Sequence, residues 1–193
     1  MNAMNHYIDI RIRPDEDFSA GQLMGVLFGK LHRALAERQS NDIAVYFPQY
    51  QIKGESPFIG QTLRILSGLN QLRALMESAW LVGVRDHIEV GEILPVPSTV
   101  QQYRVIRRVQ TQSNPERLQR RYAQRHQVSV SDAAKLITED KAKFCNLPFV
   151  SIRSQSTGQR FRLFIEHGEL KGKPTEGTFN TYGLATSATV PWF

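Results

Sequence analysis

Strict alternation opens the chain. From His6 to Arg13 the apolar residues Ile8, Ile10 and Ile12 fall on one side and Tyr7, Asp9, Arg11 and Arg13 on the other, the pattern of a half-buried strand. The period then lengthens. Leu23, Leu27, Leu31, Ala34 and Leu35 recur at helical spacing, with Lys30, Arg33 and Glu37 outside. This predicts an amphipathic helix from a cap at Ser19 to about Arg38. Ile43, Val45 and Phe47 mark a second strand, and Leu63 and Ile65 a third, separated by a polar loop with Gly and Pro from Pro48 to Gly60. A second helix is expected from a cap at Asn70, carrying Leu72, Leu75, Met76 and Trp80, and a fourth strand over His87 to Leu94. The order βαββαβ is that of a ferredoxin-like fold, an antiparallel sheet with both helices on one face, so the fold class is α+β. That fold hosts many chemistries, and function has to come from the residues it carries.

Pro95-Val-Pro97-Ser98 breaks both periodicities and is read as a boundary between a ferredoxin-like domain, 1–97, and a second α+β domain, 98–193. In the second domain residues 102–111 read as a strand. Ser113 with Glu116 makes a capping box and Pro115 fits the first turn, so a helix follows to about His126. On it Arg117, Arg121 and Arg125 stand four apart and share one stripe, with Arg120 beside them and Leu118 and Tyr122 on the opposite, packing face. Residues 149–153 and 160–165 alternate as strands around a hydroxyl- and amide-rich turn, 154–159, flanked by Arg153, Arg160 and Arg162. Such a turn supplies donors for phosphates, and Phe161 is either a stacking surface for a base or a core residue.

Charge narrows the partners. The chain has 193 residues, 41% hydrophobic and 22% charged, with a net charge of +6 and a pI near 9.7, so it can build a core and favours polyanions, nucleic acid first. Between Arg104 and Arg125 the arginines 104, 107, 108, 117, 120, 121 and 125 face only Glu116. A merely solvated helix face would interleave acidic residues for pairwise support, whereas guanidinium forks suit bidentate phosphate contacts. Apolar stretches such as Leu23 to Leu31 are interrupted by Gly and Lys and fall short of the roughly 20 residues a membrane span needs. With no cationic-then-apolar leader at the start, the expectation is a cytoplasmic protein without a membrane partner. A single cysteine, Cys145, excludes an intramolecular disulfide and a cysteine-rich zinc module and reads as a small apolar side chain. No carboxylate cluster or His/Cys ligand spacing calls for a metal or another cofactor.

Several blocks go further. Residues 7–14 (YIDIRIRP), 27–32 (LFGKLH), 108–110 (RVQ), 113–118 (SNPERL), 147–150 (LPFV), 153–159 (RSQSTGQ), 182–184 (YGL) and the terminal 191–193 (PWF) run the whole chain in order. Together they closely resemble the type I-F CRISPR repeat-processing endoribonucleases. The resemblance implies a protein, monomeric on its own, that binds the repeat hairpin of precursor CRISPR RNA and cuts at the 3′ base of the stem. It would keep its product and join the other subunits of the type I-F surveillance complex. By the same resemblance His32 acts on the 2′-hydroxyl upstream of the scissile phosphate, Ser154 holds that ribose and Tyr182 orients the histidine. The helix carrying Arg117, Arg120, Arg121 and Arg125 enters the major groove of the hairpin, Arg108 and Gln110 read base edges, Phe161 stacks on the terminal pair, and Ser156 and Thr157 contact RNA near the cut. Gln119 and Gln124 stand where well-known members carry arginines, and the loop at 48–60 differs from theirs.

The chemistry is coherent apart from the resemblance. Attack by a neighbouring 2′-hydroxyl needs a base, an oriented ribose and charge stabilisation, and gives a 2′,3′-cyclic phosphate and a 5′-hydroxyl without a metal ion. A histidine titrating near 6.5 can be that base, worth ~10²–10⁴ in rate. DNA, lacking the 2′-hydroxyl, would not be cut. The residues alone do not choose among His6, His32, His87, His126 and His167. They also leave open a subunit that holds a hairpin RNA and cleaves nothing, and a basic DNA-binding or scaffold protein.

Overall fold

The computed structural model describes residues 4–52, 57–110, 115–136, 146–154 and 158–193, with the side chains of 115–118 outside that description. The opening alternation forms β1 (His6–Ile12), which buries Ile8, Ile10 and Ile12. It pairs antiparallel with β3 (Thr62–Ser67), Ile8 opposite Ile65 and Ile10 opposite Leu63. β3 pairs antiparallel with β2 (Ala44–Tyr46), and β4 (Ile88–Val90) closes the other side of β1. With α1 (Ala20–Glu37) and α2 (Leu69–Glu77) between them, the strands run in the order β2-β3-β1-β4, the antiparallel split-βαβ arrangement the pattern predicts. Ser19 caps α1 as expected, and the cap is reciprocal: Gln22 N–H donates to its hydroxyl at 3.3 Å while Ser19 N–H donates to Gln22 Oε1 at 2.9 Å.

Three details differ from the pattern. α2 begins a residue before Asn70, with Gly68 at the cap, because Asn70 already lies in the first helical turn. Trp80 falls beyond α2, in a 3-10 turn over Ala79–Leu81. The fourth strand is two pieces, β4 and β5 (Leu94–Pro95), because Gly91 closes on β1 with its N–H 2.9 Å from the Asp9 carbonyl, after which β5 pairs with the other end of the same strand.

A second sheet holds β6 (Tyr103–Val109), β7 (Phe149–Arg153), β8 (Arg160–His167) and β9 (Thr189–Pro191) in the order β7-β8-β6-β9. α1 packs against β7, and it comes close because Gly25 has no side chain: a Cβ there would strike the Ser151 carbonyl oxygen. Residues from both sheets, among them Ile10, Leu27, Ile152 and Leu163, therefore form one core. Pro95 ends β5 and residues 96–98 follow it toward β6, but buried residues on both sides of this segment belong to one core. The compact units are Met1–Arg108 with Leu147–Phe193, and Val109–Asn146. Two prolines stop a periodicity; whether apolar faces on either side merge is decided by packing.

The smaller unit is a helix pair, α3 (Pro115–His126) and α4 (Val130–Leu136), burying Ala123 and Ala133. Ser129 caps α4, accepting from Asp132 N–H at 3.0 Å. The packing face of α3 includes Ala123, with Tyr122 half-buried beside it and its ring against His126, and the Leu118 side chain lies outside the described residues. The proposed cap at Ser113 and the reading of Cys145 also fall outside them. Among the described residues no helix is long and apolar enough to cross a membrane.

In the larger unit the last residues are tied to the first sheet. Arg64 on β3 donates to both Asp9 oxygens at 2.7 and 2.8 Å and to the Phe193 carbonyl at 3.1 Å. Its guanidinium carbon lies 4.4 Å from the ring centres of both Tyr7 and Phe193. Upstream, Phe179 N–H donates to the Asn41 carbonyl, Val45 N–H to that of Gly183 and Ala185 N–H to that of Ile106. These bonds stitch the segment 179–193 across both sheets, and Tyr182 is carried on it.

Candidate active site

One face of α1 looks into a cavity of about 360 Å³, within the usual range for ligand sites. Gly29, His32, Arg33 and Ala36, spaced three, one and three residues apart, put one helical stripe on its wall, with Glu37 at the edge. Ile152, Arg153 and Ser154 come from the end of β7, Phe161 from β8 and Tyr182 from the C-terminal segment. The structure thus brings together four residues chosen from the sequence, His32, Ser154, Phe161 and Tyr182, from places far apart in the chain.

His32 is held in a defined tautomer. Its Nδ1 lies 2.9 Å from the Thr181 carbonyl oxygen. A carbonyl can only accept, so Nδ1 carries the hydrogen, and the neutral ring keeps its lone pair on Nε2. The ring lies flat on Tyr182, centres 3.8 Å apart and planes 6° from parallel, and Phe28 stands behind Tyr182 at 6.3 Å. Tyr182 lies in a turn over 180–184. There Asn180 Oδ1 accepts from the N–H groups of Tyr182 at 2.8 Å and Leu184 at 3.3 Å. Gly183 is required in that turn, because its φ is +71° and a Cβ would meet Val45 Cγ1 at 2.9 Å.

Ser154 sits where β7 leaves the sheet. Its N–H donates to the Gln159 carbonyl at 2.8 Å, and its own carbonyl accepts from Gly158 N–H at 2.9 Å. Arg153 Nε donates to the Gly158 carbonyl at 3.2 Å. Arg108 joins from β6, its guanidinium carbon 5.9 Å from the Phe161 ring centre and 6.0 Å from that of Tyr182. Phe161 is half-buried, between the two readings the sequence left open.

Arg120, Arg121 and Arg125 are exposed on α3, and Gln110 follows β6 in the smaller unit. The Arg117 side chain, Ser156 and Thr157 lie outside the described residues. Of the five histidines, His32 is the one on this cavity. His6 is half-buried with its Nδ1 2.8 Å from Asn5 Oδ1, His87 is paired with Asp15 at 2.6 Å, and His126 lies against Tyr122. His167 is buried flat on Tyr50 at 3.8 Å, and burial, with the nearby Arg104 charge, pushes its pKa down to about 3.

Arg33, Glu37 and Asn180 were not singled out by sequence reasoning. Arg33 and Glu37 read as an ordinary outer helix face, and only Asn180 with Gly183, a turn pairing, carried a local signal. A larger cavity of about 830 Å³, lined by Met4, Asn41, Pro97, Tyr103, Phe179 and others, contains none of the expected residues. No group of three or more His, Cys, Asp or Glu side chains fit to hold a metal ion occurs among the described residues.

Fold and site define an antiparallel α+β protein whose cavity is lined by an imidazole, a serine and two arginines, His32, Ser154, Arg33 and Arg153. The family model for "CRISPR-associated protein (Cas_Csy4)" matches residues 7–193. The chain is 49% identical over 190 residues to the "CRISPR-associated endonuclease Cas6/Csy4" of Pseudomonas aeruginosa (strain UCBPP-PA14), covering 98% of this chain and 100% of that one. It is 39% identical over 190 residues to the protein of the same name from Escherichia coli (strain UTI89 / UPEC), with the same coverage. The chain belongs to this family.

Proposed function

We propose that the protein is an endoribonuclease that binds the repeat hairpin of precursor CRISPR RNA and cuts once at the 3′ base of the stem. His32 Nε2 takes the proton of the 2′-hydroxyl upstream of the cut, O2′ attacks the phosphorus, and the bond to the 5′ oxygen breaks. That oxygen leaves as a 5′-hydroxyl on gaining a proton, and a 2′,3′-cyclic phosphate stays on the upstream fragment. Ser154 holds the ribose, and Tyr182 fixes the plane of the histidine. The observation that carries this reading is the His32 environment: a ring with its hydrogen committed to Thr181, stacked on Tyr182, in one cavity with Ser154. None of these steps calls on a metal ion.

Recognition is divided. Arg117, Arg120, Arg121 and Arg125 grip the stem phosphates in its major groove, with Ser156 and Thr157 near the cut. Arg108 and Gln110 read base edges at the bottom of the stem, and Phe161 stacks on the last pair; the nearness of Arg108 to Phe161 supports a shared station for these two. In functional terms 1–97 supplies the histidine and 98–193 the main grip on RNA. Contacts upstream of the cut survive cleavage, so the enzyme turns over once, keeps its product and carries it as a cytoplasmic monomer into the type I-F surveillance complex.

The test is incubation with a labelled CRISPR-repeat hairpin in excess EDTA, beside a copy with one 2′-deoxy sugar at the cut. Cleavage of the first alone is expected. Tight binding with cleavage of neither would leave a hairpin-holding subunit and overturn the role of His32.

A further inference from the structure

Transfer of the 2′-hydroxyl proton to His32 and placement of the ribose by Ser154 leave the charge on the phosphate unanswered. The five-coordinate phosphorus formed by attack carries extra negative charge on its two non-bridging oxygens, and a site that accelerates the step sets a donor there. Neither an imidazole acting as base nor a serine holding a sugar is that donor.

The arginines around the cavity differ in how far they are committed. Arg153 gives its Nε to the Gly158 carbonyl, and Arg108 lies against the Phe161 and Tyr182 rings. Elsewhere Arg64 and Arg107 are forked onto the carboxylates of Asp9 and Glu166. Arg33 is half-buried on the cavity wall and forms no hydrogen bond or ion pair among the described residues. Glu37 stands four residues on and at the same cavity, the spacing at which a helical ion pair would form, yet the two are not paired. Arg33 also shares a helical turn with His32, so its backbone is fixed relative to the base by a helix that packs on β7.

We infer that Arg33 is a further catalytic residue, whose guanidinium contacts a non-bridging oxygen of the scissile phosphate and neutralises the charge that develops there during attack. The inference rests on the functional reading above and assigns a role that reading leaves unfilled. A planar fork of N–H donors suits a phosphate better than a point-charge ammonium does, so lysine should replace it only in part.

The experiment uses the full chain and the same repeat hairpin, measuring the single-turnover cleavage rate at saturating protein and, separately, the Kd for the 2′-deoxy copy. Arg33→Gln should lower the rate about tenfold to a hundredfold, less than loss of a fully buried oxyanion donor because the group is half-exposed. The Kd should change far less, and Arg33→Lys should recover part of the rate. Phosphorothioate substitution adds a readout that a structural role would not move. Wild type should be slowed unequally by the two diastereomers at the cut, and Arg33→Gln should even them out. An unchanged rate, or a rate loss matched by an equal loss of binding with the diastereomer preference intact, overturns the role for Arg33 alone. Failure of the wild-type chain to cleave overturns the functional reading and this inference with it.

Discussion

The His32 ring and the groups that hold it are fixed. The imidazole hydrogen is committed to Thr181, the ring lies on Tyr182, Tyr182 is set by Asn180 and Gly183, and the Ser154 turn is closed by backbone bonds. The 109–146 unit is built in the opposite way. Its two described helices bury Ala123 and Ala133, small side chains, while Arg121 and Arg125 are exposed and form no ion pair among the described residues. Moving one proton at one bond needs atoms placed within a fraction of an ångström, and that takes a shared core, stacked rings and tight turns. Holding a polyanion needs charge density along a face, which a short helix supplies with little core of its own. The two regions should therefore fail differently: the first in rate, the second in affinity and its dependence on salt.

The largest expected effect belongs to the first region. His32→Ala should slow cleavage by ~10²–10⁴, the usual worth of a positioned acid–base group. Binding of the 2′-deoxy hairpin and the salt dependence of that binding should stay as in wild type. A salt dependence that moved along with the rate would show that the two regions do not divide the work, and the comparison would break. Gly25→Ala tests the scaffold beneath the histidine. Its new methyl group would strike the Ser151 carbonyl where α1 meets β7, and overpacking of this kind costs about 1–3 kcal/mol. Denaturant unfolding should show that loss, and an unchanged midpoint would mean that the helix and strand are not locked together.

How much of this was legible in the sequence follows the same divide. The alternation of Ile8, Ile10 and Ile12 and the helical spacing of Leu23 to Leu35 gave the first half of the fold, because a two-sided sheet and a one-sided helix print their periods directly. The arginine stripe was equally plain, since charge density needs no tertiary context. α4 went unread although Ser129 with Asp132 carries a capping signal, because its buried residue is an alanine and no apolar stripe announces it. The cavity could not be assembled from periodicity at all. His32 to Tyr182 spans most of the chain, and their stack exists because Arg64 anchors the C-terminus and Gly183 lets the turn close on Val45. Those residues were found by resemblance to a family, and the geometry supplies the physical reason they meet. Arg33 lay in no recognised block and looked like any other solvated helix position.

His167 sharpens the comparison from within the packed region. Its ring is neutral in the folded state down to about pH 3, against an ordinary 6.5, so as pH falls from 6.5 toward 3 the unfolded chain binds the proton and the folded one does not. Stability is then lost on acidification, by at most ~1.4 kcal/mol for each pH unit and less where the side chain relaxes toward water. The other acid-sensitive groups are shared by wild type and variant, so the difference between them isolates this one. His167→Phe keeps a ring on Tyr50 and removes the titration. Its unfolding midpoint should therefore fall less steeply with acidity than that of wild type, and identical slopes would mean that His167 is not held neutral.

The smallest effect tests the other region. Arg121 and Arg125 lie one helical turn apart on an exposed face, and each phosphate contact that a guanidinium makes releases condensed counterions. Replacing either by Gln should weaken hairpin binding and reduce the slope of log K against log salt by ~0.7–0.9, the increment for one lost contact. At saturating protein the cleavage rate should be unchanged, because the variant complex, once formed, presents the same cavity to the same bond. A slope that stays fixed while affinity falls would assign the arginine to a base edge instead of a phosphate. A drop in the saturated rate would mean that the helix positions the scissile bond as well as holding the stem, which would move part of the catalytic work into the region with the smaller core.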